Sequence, residues 1–116
     1  MVRVSLSAAA MAAALAITGF GFAGSARADD ASYTLSIKDH AFQPTTLEIP
    51  AGAKVKLLVK NLDATAEEFE SYDLNREKIV AGNGEITVLL GPLEPGTYKF
   101  FGDFHQDSAN GTIVVK

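Results

Sequence analysis

Short segments that alternate apolar and polar residues, separated by turn residues, run through most of this chain. YTLSIKD and KVKLLVKN each place an apolar side chain at every second position, which is the period of a strand with one buried face. TTLEIP, EITVLLG, TYKFF and TIVVK continue the series, and Pro50–Gly52, Gly82–Gly84 and Pro95-Gly96 supply turn residues between them. Strands spaced at roughly 8–12 residues are typical of an all-β sandwich or barrel. We therefore predict an all-β sandwich of about seven to eight strands.

One segment fits this pattern less well. TAEEFESYDLNREKIV has Phe69 as its single strong apolar anchor, and its charge pattern also suits a short helix. Within it, Glu77 lies between Arg76 and Lys78, and we expect it to form surface ion pairs with such neighbours. The segment is thus predicted as a strand, with a short helix as the alternative.

The N-terminal 28 residues have a different composition. Arg3 precedes the apolar run LSAAAMAAALAITGFGFAG, and Ala26-Arg27-Ala28 follows it. A basic start, an apolar middle and a small-x-small end are the marks of a secretory signal peptide. We predict cleavage after Ala28, one domain over residues 29–116, export to the periplasm and no membrane insertion after cleavage. The alternative is a transmembrane anchor, for which this run is only marginally long.

Charge and composition exclude several functions for the predicted domain. Loss of Arg3 and Arg27 leaves eight basic residues against fourteen acidic ones, and such an acidic domain repels nucleic-acid phosphates. There is no cysteine, so the domain must be held together by its core without disulfides. The sequence shows no phosphate-binding loop, nucleophile elbow or Ser/His/Asp set, so it defines no catalytic constellation.

Several segments resemble the cupredoxins, the Greek-key β-sandwich family of blue copper proteins. The resemblance rests on FQPTTLEIPAGAKVKLLVKN, GTYKFFGDFH and GTIVV and covers nearly all of residues 32–116. It implies that Gly102 stands at the copper-ligating cysteine position and Ala109 or Asn110 at the methionine position. Glu67 stands at the position of the first histidine, and His105 keeps the second histidine.

The missing thiolate changes the metal that such a site could hold. A blue copper centre needs a cysteine sulfur, so we predict that this chain is not a blue copper electron carrier. His40 lies in a loop that the resemblance places at the same end of the sandwich. The candidate metal ligands are His40, Glu67 and His105, with Glu68, Glu70 and Asp103 nearby. Imidazole with carboxylate suits iron, copper(II), manganese or zinc better than copper(I).

Strand parity selects Glu67 among the neighbouring carboxylates. In a strand, Glu67 and Phe69 project to one side and Glu68 to the other, so an inward Phe69 requires an inward Glu67. A buried carboxylate is costly unless it is paired or bound to a metal. Arg76 or Lys78 could also neutralise it, and that alternative remains open at this stage.

A narrower resemblance concerns function. NLDATAEEFESYDLNREKIV and FFGDFH resemble cysteine-poor, cupredoxin-like periplasmic proteins of bacterial iron uptake. These proteins accompany an iron permease or form the N-terminal domain of a larger iron-uptake lipoprotein. The resemblance implies a copper or iron ion as cofactor, an inner-membrane iron permease as partner and, with copper bound, a ferroxidase-type oxidation of ferrous iron. The alternative is a metal-free module that binds a permease or another periplasmic partner.

Overall fold

A computed structural model describes residues 31–116 of the chain. The predicted signal peptide, residues 1–28, lies outside the described residues. In this part of the chain the strands are β1 (Ala31–Lys38), β2 (Ala41–Gln43), β3 (Thr46–Ile49), β4 (Val55–Asn61), β5 (Glu67–Ser71), β6 (Arg76–Val80), β7 (Glu85–Leu90), β8 (Gly96–Gly102) and β9 (Asn110–Val115), and a 3-10 turn spans Asp103–His105. Within residues 31–116, no helix has the length and apolar character needed to cross a membrane.

The strands form two mixed sheets that pack into a sandwich. One sheet has the order β2-β1-β4-β7 and the other the order β3-β9-β8-β5-β6. β1 pairs with β4 and β3 pairs with β9 in parallel, and the remaining pairs are antiparallel. The predicted all-β sandwich is confirmed, and residues 31–116 form nine strands instead of the predicted seven to eight because β2 and β6 are also strands.

The segment that suited either a strand or a helix is a hairpin. Its first half is β5 and its second half is β6, with Phe69 opposite Lys78 and Glu70 opposite Glu77. The burial of β5 alternates along its length, with Glu67, Phe69 and the last residue of the strand inside. The pairing therefore supports the strand prediction and the parity argument that depends on it.

The core lies between the sheets, and aromatic side chains fill it beneath one end. The aliphatic part is contributed mainly by alternate residues of β1, β4, β7 and β9. Phe42 and Phe100 meet edge to face with ring centroids 4.9 Å apart, and Phe69 lies 5.5 Å from Phe100. Such pairs add about 0.5–1.5 kcal/mol each beyond the area that they bury. The packed rings therefore hold in place the strand ends that lie above them.

Basic side chains cover the gap where β6 and β7 lie at neighbouring sheet edges. The Arg76 guanidinium donates to the Leu89 carbonyl over 3.2 and 3.1 Å, and the Lys78 ammonium donates to the Thr87 carbonyl over 3.2 Å. These bonds satisfy carbonyls that an open edge would leave unpaired. The alternative in which Arg76 or Lys78 neutralises Glu67 is therefore wrong, since both cations are engaged with backbone carbonyls of β7.

Candidate metal centre

Three predicted ligands from distant parts of the chain meet at one end of the sandwich. His40 lies in the turn between β1 and β2, Glu67 begins β5, and His105 ends the 3-10 turn that follows β8. One ligand atom from each lies within 4.8 Å of the others. The structure therefore brings together the three residues that the sequence predicted as first ligands, and their binding of a metal stays a prediction.

The two imidazole rings lie face to face. The ring centroids of His40 and His105 are 3.7 Å apart, with an angle of 12° between the ring planes. Both side chains are partly exposed, 42% for His40 and 30% for His105. The pair is therefore open to solvent at the tip, so an ion could reach it without any opening of the core.

The Glu67 carboxylate lies beneath this pair and is only 1% exposed. Its Oε2 is 2.5 Å from Nδ1 of His105. Its Oε1 accepts hydrogen bonds from the backbone amides of Phe104 at 2.8 Å and Glu68 at 3.1 Å. Because a buried carboxylate needs such partners, His105 and two amides explain how the chain tolerates Glu67 inside.

Gly102 leaves the space that this carboxylate fills. A Cβ at residue 102 would come within 2.7 Å of Glu67 Cδ, 2.8 Å of Glu67 Oε1 and 2.8 Å of Ala109 Cβ. The backbone of Gly102 is ordinary extended chain, with φ −98°, so space and not conformation requires glycine here. A cysteine could not stand at this position beside Glu67. The donor set therefore does not fit a blue copper ion, in agreement with the missing thiolate.

The other predicted carboxylates form a second group on the outer face of the sheet. Ligand atoms of Glu68, Glu70 and Asp103 lie within 4.8 Å of one another, and all three residues are half-buried. Partial loss of hydration, a hydrogen bond with Glu77 and the neighbouring negative charges raise the pKa of Glu68 to about 7. Partial loss of hydration, followed by the charges of Glu77 and Asp103, also raises the pKa of Glu70. The six predicted residues therefore divide into two groups on opposite faces of β5.

Glu77 belongs to this outer group, contrary to expectation. The prediction that it forms surface ion pairs is wrong, because it lies opposite Glu70 across the β5–β6 pair and shares a hydrogen bond with Glu68. Its neighbours in sequence, Arg76 and Lys78, are directed to β7. Only the hairpin register, which the sequence did not fix, could have identified this contact.

Asp63, which the sequence patterns did not single out, also belongs to the surroundings of the site. Its carboxylate oxygens accept the backbone amides of Asp39 at 2.8 Å and His40 at 2.9 Å. The hydrogen bond from the His40 amide lowers the pKa of Asp63 most. Desolvation opposes this shift, and the hydrogen bond from the Asp39 amide adds to it. A prediction of a tight turn at Asp39-His40 could have indicated this contact, because the backbone amides of such a turn need an acceptor.

Comparison with known proteins supports the cupredoxin resemblance. A family of cupredoxin-like domains matches residues 8–115. An uncharacterized protein of Rickettsia prowazekii (strain Madrid E) is 53% identical over 81 residues. The alignment covers 70% of this chain and 65% of that protein, so it spans just under two thirds of the relative.

Solved structures share the fold at low sequence identity. Auracyanin A, a "blue" copper protein of Chloroflexus aurantiacus, aligns with a TM-score of 0.65 and 17% identity over 75% of this chain and 99% of its own. The metal-binding domain of the Cu(I)-exporting P-type ATPase CopA of Streptococcus pneumoniae D39, solved with Cu(I), aligns with a TM-score of 0.66 and 11% identity over 77% and 88%. The match over nearly the whole chain and the shared sandwich lead to one conclusion: this protein belongs to the family of cupredoxin-like domains.

Proposed function

We propose that this protein binds a metal ion through His40, Glu67 and His105 and acts in iron uptake in the periplasm. The observation that carries the proposal is a nearly fully buried carboxylate that meets two imidazoles from separate loops. A buried carboxylate is costly unless it is paired or bound to a metal. Auracyanin A and the CopA domain, which bind copper and share this fold, support metal binding. The resemblance to iron-uptake proteins supports iron uptake as the process in which the protein acts.

The donors decide which ions fit. Two imidazole nitrogens and a carboxylate oxygen suit copper(II), iron or zinc, whereas copper(I) prefers sulfur ligands. A copper(II) ion held there would supply a one-electron acceptor for ferrous iron, with ferric iron and copper(I) as products. The amides of Phe104 and Glu68 hold the Glu67 carboxylate in place, so this ligand is positioned before any ion arrives.

The outer group supports iron as the ion that is handled. Glu68, Glu70 and Asp103 present hard oxygen donors, and such oxygens suit hard cations, of which ferric iron is one. Because Glu67 and Glu68 are consecutive residues of β5, the outer group lies directly behind the inner one. We propose that the outer carboxylates receive the iron ion as substrate and that the imidazole group holds the resident ion.

Thermal unfolding with added metal tests the binding. A ligand at 100 times its dissociation constant stabilises the native state by about 2.7 kcal/mol, so Cu(II) or anaerobic Fe(II) should raise the Tm in a concentration-dependent way. Glu67→Gln should reduce this shift. Glu48→Gln is the matched control, because Glu48 is exposed and its one ion-pair partner within residues 31–116 is Lys116. If neither ion moves the Tm of the unaltered protein, metal binding is refuted.

The iron role needs a separate test in cells that make the protein. Deletion of its gene should lower the uptake of radioactive iron under iron limitation, and the unaltered gene should restore it. The Glu67→Gln gene should restore it only partly, while the Glu48→Gln gene should restore it fully. If the deletion leaves iron uptake unchanged, the role in iron transport is refuted, even if the protein binds copper in solution.

A second candidate function is the metal-free binding module. It is favoured by the contacts of Glu67, whose oxygens already have His105 and two amides as partners. Phe104, which is 49% exposed beside His105, would add an apolar contact for an inner-membrane iron permease or another periplasmic partner. This function predicts that no metal shifts the Tm and that permease-containing membranes retain the protein in the presence of a chelator.

A further inference from the structure

We propose that Asp63 is a positioning residue of this centre, which holds the turn between β1 and β2 so that His40 faces His105. The role in metal binding rests on the proposed function above. The placement of His40 does not, since it concerns the protein without metal.

The turn that carries His40 has a demanding backbone. Asp39 and His40 both have positive φ angles, 54° and 60°, and the strands on either side pair directly, with Lys38 opposite Ala41. For residues other than glycine this left-handed conformation is unfavourable, because the Cβ comes too close to the following carbonyl oxygen. Something outside the turn must therefore stabilise it, and neither side chain of the turn is buried in the core.

One carboxylate provides that stabilisation. Oδ1 of Asp63 accepts the Asp39 amide at 2.8 Å, and Oδ2 accepts the His40 amide at 2.9 Å. Hydrogen bonds to a charged acceptor are stronger than those to a neutral one, so these two bonds offset the backbone cost of the turn. The same Oδ2 lies 3.5 Å from Nδ1 of His40, so a negative charge also faces one edge of the imidazole ring.

Asp63 is itself fixed to the sandwich. Its amide donates to the Asn61 side chain at 3.0 Å, and its carbonyl accepts the Asn83 amide at 2.8 Å. Asn61, which is 1% exposed, also donates to the Thr65 carbonyl at 2.8 Å. Asp63 therefore connects the end of β4 to the turn that carries His40 and fixes the turn relative to that strand.

The opposite side of His40 is held by the loop of the second histidine. The Ser108 hydroxyl donates to the His40 carbonyl at 2.5 Å, and Ser108 belongs to the segment that follows His105. With Asp63 on its amide and Ser108 on its carbonyl, His40 is fixed through its backbone while its ring stays partly exposed. Loss of the Asp63 contacts would release the turn and separate the two imidazoles.

The effect on metal binding follows from this geometry. Residues that orient metal ligands change metal affinity by about 10–100-fold when they are replaced. We expect Asp63→Ala to weaken Cu(II) binding by about that factor and to reduce the imidazole nitrogens on the copper from two to one. Asp63→Asn keeps the shape but loses the charge and one acceptor, so it should show the same change in a smaller degree.

Asp73→Asn is the matched control. Asp73 also accepts a backbone amide, that of Lys99 at 2.8 Å, but it lies in the β5–β6 turn at the other end of β5. The first measurement is a Cu(II) titration of purified protein, with nitrogen hyperfine structure read by electron paramagnetic resonance. A wild-type affinity and a two-nitrogen spectrum in Asp63→Ala would overturn the proposal. Absence of Cu(II) binding by the unaltered protein would instead overturn the proposed function.

The second measurement uses the metal-free protein and keeps the two questions apart. Nuclear Overhauser contacts between the rings of His40 and His105 should be present in the unaltered protein and in Asp73→Asn. They should be lost in Asp63→Ala and weakened in Asp63→Asn. Should Asp63→Ala fail to fold, Asp63→Asn decides, and ring contacts that persist there at full strength would overturn the positioning role.

Discussion

Replacement of Gly102 by alanine tests the central packing argument of the site. The new Cβ would lie 2.7 Å from Glu67 Cδ and 2.8 Å from Ala109 Cβ, whereas carbon atoms in good contact are about 3.5–4.0 Å apart. One side or the other must therefore move by about 1 Å. Ala109 is fully buried and its carbonyl accepts the Gly102 amide at 2.9 Å, so the Glu67 carboxylate is the group that gives way.

The magnitude follows from two costs. Overpacking of a filled core costs about 1–3 kcal/mol. A displaced Glu67 also loses part of its charged hydrogen bonds to His105 and the Phe104 amide, which contribute about 1.5–3 kcal/mol each. We expect Gly102→Ala to lower the free energy of unfolding by about 2–4 kcal/mol in total. For a domain of this size, that is a fall in Tm of roughly 10–25 °C.

Urea unfolding, followed by circular dichroism, measures this in a double-mutant cycle with Glu67→Ala. With the carboxylate removed, Gly102→Ala should cost clearly less, because only the Ala109 contact remains. Gly52→Ala is the control for backbone strain, since its Cβ would meet nothing within 4 Å but its φ is +76°. Its cost should be the same with and without Glu67. A Gly102→Ala variant as stable as the unaltered protein, or equally destabilised in both backgrounds, would refute the reasoning.

Three further predictions concern the surroundings of the site. Phe69→Ala should cost about 3–5 kcal/mol in urea unfolding, whereas Ile79→Ala, 57% exposed on the adjacent strand, should stay within about 0.5 kcal/mol of the unaltered protein. Since the pKa of Glu68 rises from 4.5 to about 7 on folding, the native state binds more protons between these values, and the Tm should fall as the pH rises through them. Glu77→Gln should flatten this dependence, and an equally steep profile would contradict the shared hydrogen bond. Asn61→Ala should cost about 1–3 kcal/mol by leaving buried backbone groups unpaired, and an unchanged urea midpoint would argue against that.

The sequence predicted the parts of this structure that depend on local periodicity. Alternation in β1 and β4 follows from the apolar pattern, and the inward direction of Glu67 follows from its parity with Phe69. The meeting of His40 and His105 depends on topology, and the family resemblance supplied it. The partners of Glu77 and Asp63 were missed because they depend on strand register and on backbone amides, which residue patterns do not encode.

A carboxylate in the space beside residue 102 makes demands on the fold that a cysteine at residue 102 would not make. A cysteine would extend from the backbone of residue 102, whereas Glu67 reaches the same space from the neighbouring strand β5. This arrangement therefore needs both a long acid on β5 and an empty position on β8. Two amides must also hold the charge of Glu67, because an unpaired buried carboxylate would destabilise the fold. These requirements together explain why the chain has glycine at residue 102, where alanine or serine would block the carboxylate.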